Sequence, residues 1–205
     1  MYTPNYFRLT DIQETVDFMR KYSFATLVTV SNGIPSATHL PFLVDQREDK
    51  VVLISHFAKA NPQAHNIADD IALVIFTEPH AYISPKHYEK ELNVPTWNYL
   101  AVHAYGKAVV IEDKEKVTAL LEKTICNYEA DYLTQWNKLP ADYKLKMMNG
   151  IVAFEIVVND LQGKKKLSQN KTEQEQQNII NALGNAADSN ERDIARYMAS
   201  LNKGL

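Results

Sequence analysis

A single cysteine, Cys126, stands in 205 residues. That scarcity excludes an internal disulfide framework and suits a reducing compartment. Cys126 sits in an apolar helical pattern, which reads as a small buried side chain rather than a nucleophile. No stretch approaches the roughly 18 apolar residues that a membrane-crossing helix needs. The N-terminal Met1-Tyr-Thr-Pro-Asn-Tyr-Phe-Arg8 also lacks the apolar run of a secretory signal. A cytoplasmic protein without a membrane span is the expectation. Positive charge is not in excess: 22 Lys and Arg against 25 Asp and Glu leave a formal −3. General attraction to nucleic acid is therefore missing, and DNA binding would need a local basic patch. There is no Gly-x-Gly-x-x-Gly fingerprint, no Gly-x-Ser-x-Gly elbow and no His-Glu-x-x-His. The six histidines, at 39, 56, 65, 80, 87 and 103, show no pair with zinc-ligand spacing, so no metal site is expected.

What is present is an ordinary globular balance, 45% hydrophobic and 23% charged, in a chain long enough to bury a core. Thr10-Asp-Ile-Gln13 has the form of a capping box before a short helix that runs to about Tyr22, with Ile12, Val16 and Met19 on one face. Strands are expected at Phe24–Val30 and, after the hairpin signal Asn32-Gly33, at Ser36–Val44, where Pro41 marks an edge, bulge or end. Further strands are expected at Val51–Ser55, Ile71–Phe76, Ala81–Ser84, Tyr99–Ile111 and Gly150–Val158. Asn61-Pro62 reads as an N-cap and first position of a short helix. Longer helices are expected from Asp113 to about Tyr128, from Thr172 to Leu183 and from Ser189 to Leu201. Short strands joined by hairpins, with few crossover helices, predict an α+β protein, mainly β: a closed or partly closed antiparallel barrel decorated with helices. The only seam in the pattern lies near Gly163 to Thr172, so the expected organisation is a barrel domain over 1–170 and a helical extension over 171–205.

Three segments mix aromatic and polar residues in the manner of a site for a planar, phosphorylated ligand. In the first, Ser55, His56, Lys59 and Asn61 lie between a strand end and a helix start, where free amides and a cation suit a phosphate. The same residues also make an ordinary strand-to-helix turn with an exposed lysine. In the second, Trp97 can pack on a ring system, Asn98 can pair with a pyrimidine-like edge, and His103 can point to either strand face. Tryptophan more often anchors a core or an interface through its large area. The third holds the charge run Lys164–Lys166, ordinarily a solvated surface, followed by the dense polar set Ser168, Gln169 and Asn170.

With these segments placed, the chain resembles the PaiB-type FMN-binding negative transcriptional regulators, a split-barrel family similar to pyridoxamine-phosphate oxidases. The residues that carry the resemblance run nearly end to end. They are Met1-Tyr-x-Pro-x-x-Phe7, His39-Leu-Pro-Phe42, His56-Phe-Ala-Lys-Ala-Asn-Pro62, Ala81-Tyr-Ile-Ser-Pro85, Val94-Pro-Thr-Trp-Asn-Tyr99, Val102-His103 with Gly106, and Gly163-Lys-x-Lys-Leu-Ser-Gln-Asn170. The resemblance implies a six-stranded split barrel that dimerises with FMN at the subunit interface. It implies that Lys59 and Asn61 grip the phosphate, that His39 and Pro41 lie under the isoalloxazine, and that Trp97, Asn98 and His103 approach from the partner. Lys166, Ser168, Gln169 and Asn170 would close the site. One departure is Gln63-Ala64-His65, where the family often carries a tryptophan after the glutamine. Two functions stay open: a flavin-binding regulator, and a flavin-dependent oxidoreductase without direct DNA binding. The final helical pair lacks the short turn and net positive charge of a DNA-reading unit.

Overall fold

A computed structural model describes residues 1–201; residues 202–205, the end of the expected helical extension, lie outside the described residues. Eight strands and six α-helices follow one another along them. They are β1 (Arg8–Leu9), α1 (Ile12–Lys21), β2 (Phe24–Ser31), β3 (Ile34–Pro41), β4 (Leu43–Arg47), β5 (Lys50–Ala58), β6 (Ile71–Ile83), β7 (Thr96–Ile111), α2 (Lys114–Tyr128), α3 (Tyr132–Lys138), α4 (Ala141–Met148), β8 (Ile151–Lys166), α5 (Glu173–Gly184) and α6 (Ser189–Leu201). The α+β class is as expected, but the sheet counts eight strands. Six of these are at least eight residues long; β1 and β4 are the short additions, of two and five residues.

The described chain forms two compact units of interleaved segments. The first comprises Met1–Thr15, Thr77–His103 and the described part of Gln162–Leu205; the second comprises Val16–Phe76 and Ala104–Leu161. The sheet runs in the order β3-β2-β6-β7-β8-β5-β4, with β6, β7 and β8 contributing residues to both units, and the pairings of β2 with β3 and β6, of β4 with β5 and of β5 with β8 are antiparallel. Asn32 and Gly33 take the turn between β2 and β3 with φ of 53° and 77°, the positive-φ pair that a tight hairpin requires. Pro41 ends β3, Phe42 dips into the core, and the chain resumes as β4. The core is aromatic: Phe154 stacks on Phe57 at 4.9 Å between centroids and meets Phe42 edge-on at 6.3 Å. A second apolar cluster joins Leu43, Val52 and Ile54 to Val117 and Leu120 of α2.

In the first unit β1 pairs antiparallel with the end of β8, Leu9 opposite Gly163. A side chain on residue 163 would press on Leu9, so glycine permits this close approach. Leu167, Ile179, Ile194 and Met198 are buried, and α5 packs on α6. Thr172 and Glu175 close a capping box at the start of α5.

Several expectations are corrected. The first helix is capped by Asp11, whose carboxylate accepts from the Glu14 amide at 2.8 Å, rather than by Thr10. Its buried face is Thr15, Val16, Phe18 and Met19, while Ile12 is exposed. Ile71–Phe76 and Ala81–Ile83 are parts of one strand, β6, and Ser84 lies just past its end. The last strand runs past the expected end at Val158 to take in Lys164–Lys166, and Cys126 is exposed because it falls on the outer side of α2. Helices α3 and α4 have no counterpart in the apolar periodicity. Among the described residues, no helix is long and apolar enough to cross a membrane.

Candidate functional site

The second unit gathers His39, Pro41, Ser55, His56, Lys59 and Asn61 around the ends of β3 and β5. The Ser55 hydroxyl donates to the Pro41 carbonyl at 2.7 Å, tying the end of β3 to β5. Asn61 caps a short 3-10 turn, Pro62–His65, by accepting from the Gln63 amide at 2.9 Å. Its own amide group donates to the Thr38 hydroxyl at 3.0 Å, next to His39. The Lys59 main-chain amide donates to Gly150 O at 2.8 Å, so the backbone there is fixed while the side chain is exposed. Lys59 forms no ion pair among the described residues, and it borders a recess of about 240 Å³ shared with Leu145, Met148 and Ile151. A free cation beside a capped turn fits a phosphate by its donor chemistry.

His39 is exposed and stacks on the Phe24 ring at 6.3 Å. The strand register extends this into a surface: His39, Thr26 and Ile75 form one row across β3, β2 and β6, and Ala37, Val28 and Leu73 form the next. Phe24 lies opposite Pro41, and Val30 opposite Pro35. Phe24, Val30 and Ile71 are 68%, 50% and 62% exposed. The outer face of these three strands is thus apolar and open, with His39 and Pro41 at one end. Patches of this kind mark interaction surfaces.

His56 is half-buried, and burial holds its imidazole below the usual range, so it is neutral at pH 7 and offers hydrogen bonds rather than charge. His103 is lowered by burial and then by the N-terminal ammonium, and His87 by burial and then by Lys86. In each case the folded chain holds fewer protons than the unfolded one below about pH 6.5. Stability is therefore expected to fall as pH drops from about 6.5 towards 5. Urea midpoints measured across that range should decline, and the decline should be shallower in His56→Asn; equal slopes would remove His56 from the account.

The first unit holds the remaining predicted residues. Trp97 is half-exposed and meets His80 and Tyr82 edge-on, at 5.6 and 6.0 Å. Asn98 is wholly buried; its amide donates to Ser168 Oγ at 3.0 Å, and the Ser168 hydroxyl, also buried, faces Asn98 Oδ1 at 3.1 Å. Ser168 adopts a φ of 60°, so this pair pins the turn that follows β8. Gln169 bonds back onto that turn through Leu167 N at 2.7 Å and Lys165 O, and Asn170 is exposed. Lys166 donates to the Thr96 hydroxyl. The structure thus brings Asn98 to Ser168 and Lys166 to Thr96, while Gln169 serves its own loop.

Sequence reasoning missed Gln63 as a contributor. Buried at 5% exposure, it donates to Thr29 Oγ1 at 2.8 Å and Ser36 O at 3.1 Å, and accepts from the Thr38 hydroxyl. It anchors the Lys59–Asn61 turn to β2 and β3. A polar residue just inside Asn61-Pro62 is the only local signal of that role. Among the described residues, no group of three or more His, Cys, Asp or Glu side chains could hold a metal.

A family described as "Putative FMN-binding domain" matches residues 1–160. Protease synthase and sporulation protein PAI 2 of Bacillus subtilis is 42% identical over 204 residues, covering 97% of this chain and 96% of that protein. An uncharacterised protein of Emericella nidulans is 30% identical over 188 residues, 73% of this chain and 75% of its own. Among solved structures, the flavocytochrome Anf3 from Azotobacter vinelandii superposes with a TM-score of 0.63 at 16% identity, over 80% of this chain and 72% of that one. The FAD and heme binding protein from Mycobacterium smegmatis gives 0.60 at 17%, over 78% and 73%. At such identities the likeness concerns the fold alone. The match along residues 1–160, with the near full-length kinship to the Bacillus protein, makes this chain a member of the FMN-binding family.

Proposed function

We propose that the chain binds FMN as a homodimer and acts as a flavin-dependent regulator. The open apolar face of β2, β3 and β6 carries this reading, because it calls for a cover of the same chemistry and a second copy supplies one. On this reading the six long strands form the split barrel, with 171–205 a helical extension. His39 and Pro41 underlie the flavin ring, Lys59 and Asn61 hold its phosphate, and Ser55 and His56 shape that corner. Trp97 and His103 meet the ring from the second copy. Asn98, Ser168, Gln169 and Asn170 position the loop that encloses it, with Lys166 alongside. When bound, the cofactor supplies hydride or electron transfer, while the chain orients it and excludes water.

Regulation on this reading does not run through α6 as a DNA-reading helix. Arg196 is paired with Asp193 at 2.6 Å, and Arg192 donates to Ala186 O and Ala187 O, so both arginines of α6 serve the fold. The second reading, a flavin-dependent oxidoreductase, is favoured by one observation: Lys164 and Lys166, both poorly exposed, have no acidic partner among the described residues.

The test is a titration of the full chain with FMN, followed by visible absorbance and sedimentation. We expect one FMN per subunit and a dimer. Leu73→Asp, which puts a charge on the open face, should give monomers and weaken FMN by tenfold or more. A monomeric wild-type chain that ignores FMN at about millimolar excess would end this reading.

A further inference from the structure

We infer that Lys164 and Lys166 form a subsite for a second, small organic anion, a carboxylate or phosphate ester with an apolar or aromatic body, distinct from the flavin phosphate. The inference rests on the flavin reading only in saying that this anion is the molecule that meets the flavin. Lys164 and Lys166 are two residues apart on β8 and so project to one side of the strand, while Lys165 projects to the other. The two sides are treated differently. Lys165 is neutralised by Glu14 at 2.5 Å. Neither Lys164 nor Lys166 has an acidic partner among the described residues.

Their surroundings are aromatic and neutral. Lys164 is 8% exposed, donates to the Tyr2 carbonyl at 3.2 Å, and lies 5.1 Å from the Tyr99 ring and 5.9 Å from that of Tyr2. Lys166 donates to Thr96 Oγ1 and lies 5.9 Å from the Phe7 ring. Burial, and then the charge of Lys164, push the Lys166 ammonium below its usual range, as expected where a cation lacks a compensating anion. Two crowded ammonium groups are costly to keep in a folded chain. Carbonyl, hydroxyl and ring faces offset that cost only in part, and an incoming carboxylate or phosphate would offset the remainder. Along β7, Tyr99 alternates onto the same strand side as Trp97 and His103, the residues proposed to meet the flavin ring. An anion held by Lys164 would therefore present its apolar body on the side of the flavin.

The probes are phenyl phosphate, benzoate and the neutral benzyl alcohol, titrated calorimetrically into the full chain with and without FMN. We expect saturable binding of both anions below about 1 mM, none of benzyl alcohol, and phenyl phosphate binding that persists when FMN is saturating. Lys166→Gln and Lys164→Gln should each weaken the anions roughly tenfold, and Lys165→Gln should leave them within twofold. Lys166 is the less buried of the two, so its variant keeps the test valid if Lys164→Gln fails to fold. Mutual exclusion of phenyl phosphate and FMN would overturn the inference, because the lysines would then hold the flavin's own phosphate. So would equal anion binding by Lys166→Gln and wild type. If FMN does not bind but the anions do, the flavin reading fails while this subsite stands.

Discussion

Replacing Lys59 by glutamate is expected to weaken FMN binding roughly 100-fold or more, and replacing it by methionine about tenfold. A flavin phosphate is close to a dianion, and a charge-assisted hydrogen bond to it is among the stronger polar contacts available. Nothing in the second unit competes for this lysine, since no carboxylate lies within ion-pairing distance of it among the described residues. The fold should not suffer. The Lys59 amide stays bonded to Gly150 O, Asn61 still caps the turn, and the exposed side chain contributes little to stability. Melting temperatures of both variants should therefore remain close to wild type while affinity collapses. Raising salt should weaken the wild type more than the methionine variant, because only the former relies on an exposed charge. FMN affinity that is unchanged in Lys59→Glu would remove this lysine from the phosphate site.

The local rules served this chain wherever the determining interaction was itself local. Alternation and the Asn32-Gly33 turn located β2 and β3, and Asn61-Pro62 marked a capped turn, whereas the single strand expected over Ser36–Val44 is divided after Pro41 into β3 and β4. Asp113 was legible as the start of α2, where its carboxylate accepts from the Glu115 and Lys116 amides. Failures came where partners distant in sequence decide the outcome. Ile71–Phe76 and Ala81–Ser84 read as two strands, yet β6 runs unbroken from Ile71 to Ile83, with Leu73 and Ile75 held to β2 and Ile83 buried. Lys164–Lys166 look like a solvated run, yet pairing with Arg8 and Leu9 extends β8 through Lys164 and Gly163. Helix α4 buries no residue, so it carries no apolar period to detect. For the candidate site, the resemblance supplied His39 and Pro41, and the motif clusters supplied the others. What no motif could supply was the distinction between Asn98, sealed against Ser168, and Trp97, its exposed neighbour one residue away.

Gln63→Leu should cost roughly 2–5 kcal/mol of stability, the largest effect expected from a single polar substitution in the second unit. Leucine matches the volume but offers neither donor nor acceptor. Three groups would lose a partner at once: the Thr29 hydroxyl, the Ser36 carbonyl and the Thr38 hydroxyl. Thr38 also receives the Asn61 amide, so loss of Gln63 frees the hydroxyl that steadies Asn61. Stability and cofactor binding should therefore fall together, with the melting temperature down by roughly 5–15 °C for a chain of this size. FMN should weaken even at temperatures where the variant is fully folded, because the phosphate turn is loosened while Lys59 keeps its charge. Gln63→Glu separates the two contributions. Its carboxylate can still accept from Thr38 but cannot donate to Ser36, and a buried charge is worse than a lost bond. Its stability deficit relative to wild type should therefore shrink as pH falls and the carboxylate takes up a proton, a trend absent from Gln63→Leu. Should Gln63→Leu melt within a degree or two of wild type, the turn is held by Asn61 alone, and the buried glutamine is not the anchor of this corner.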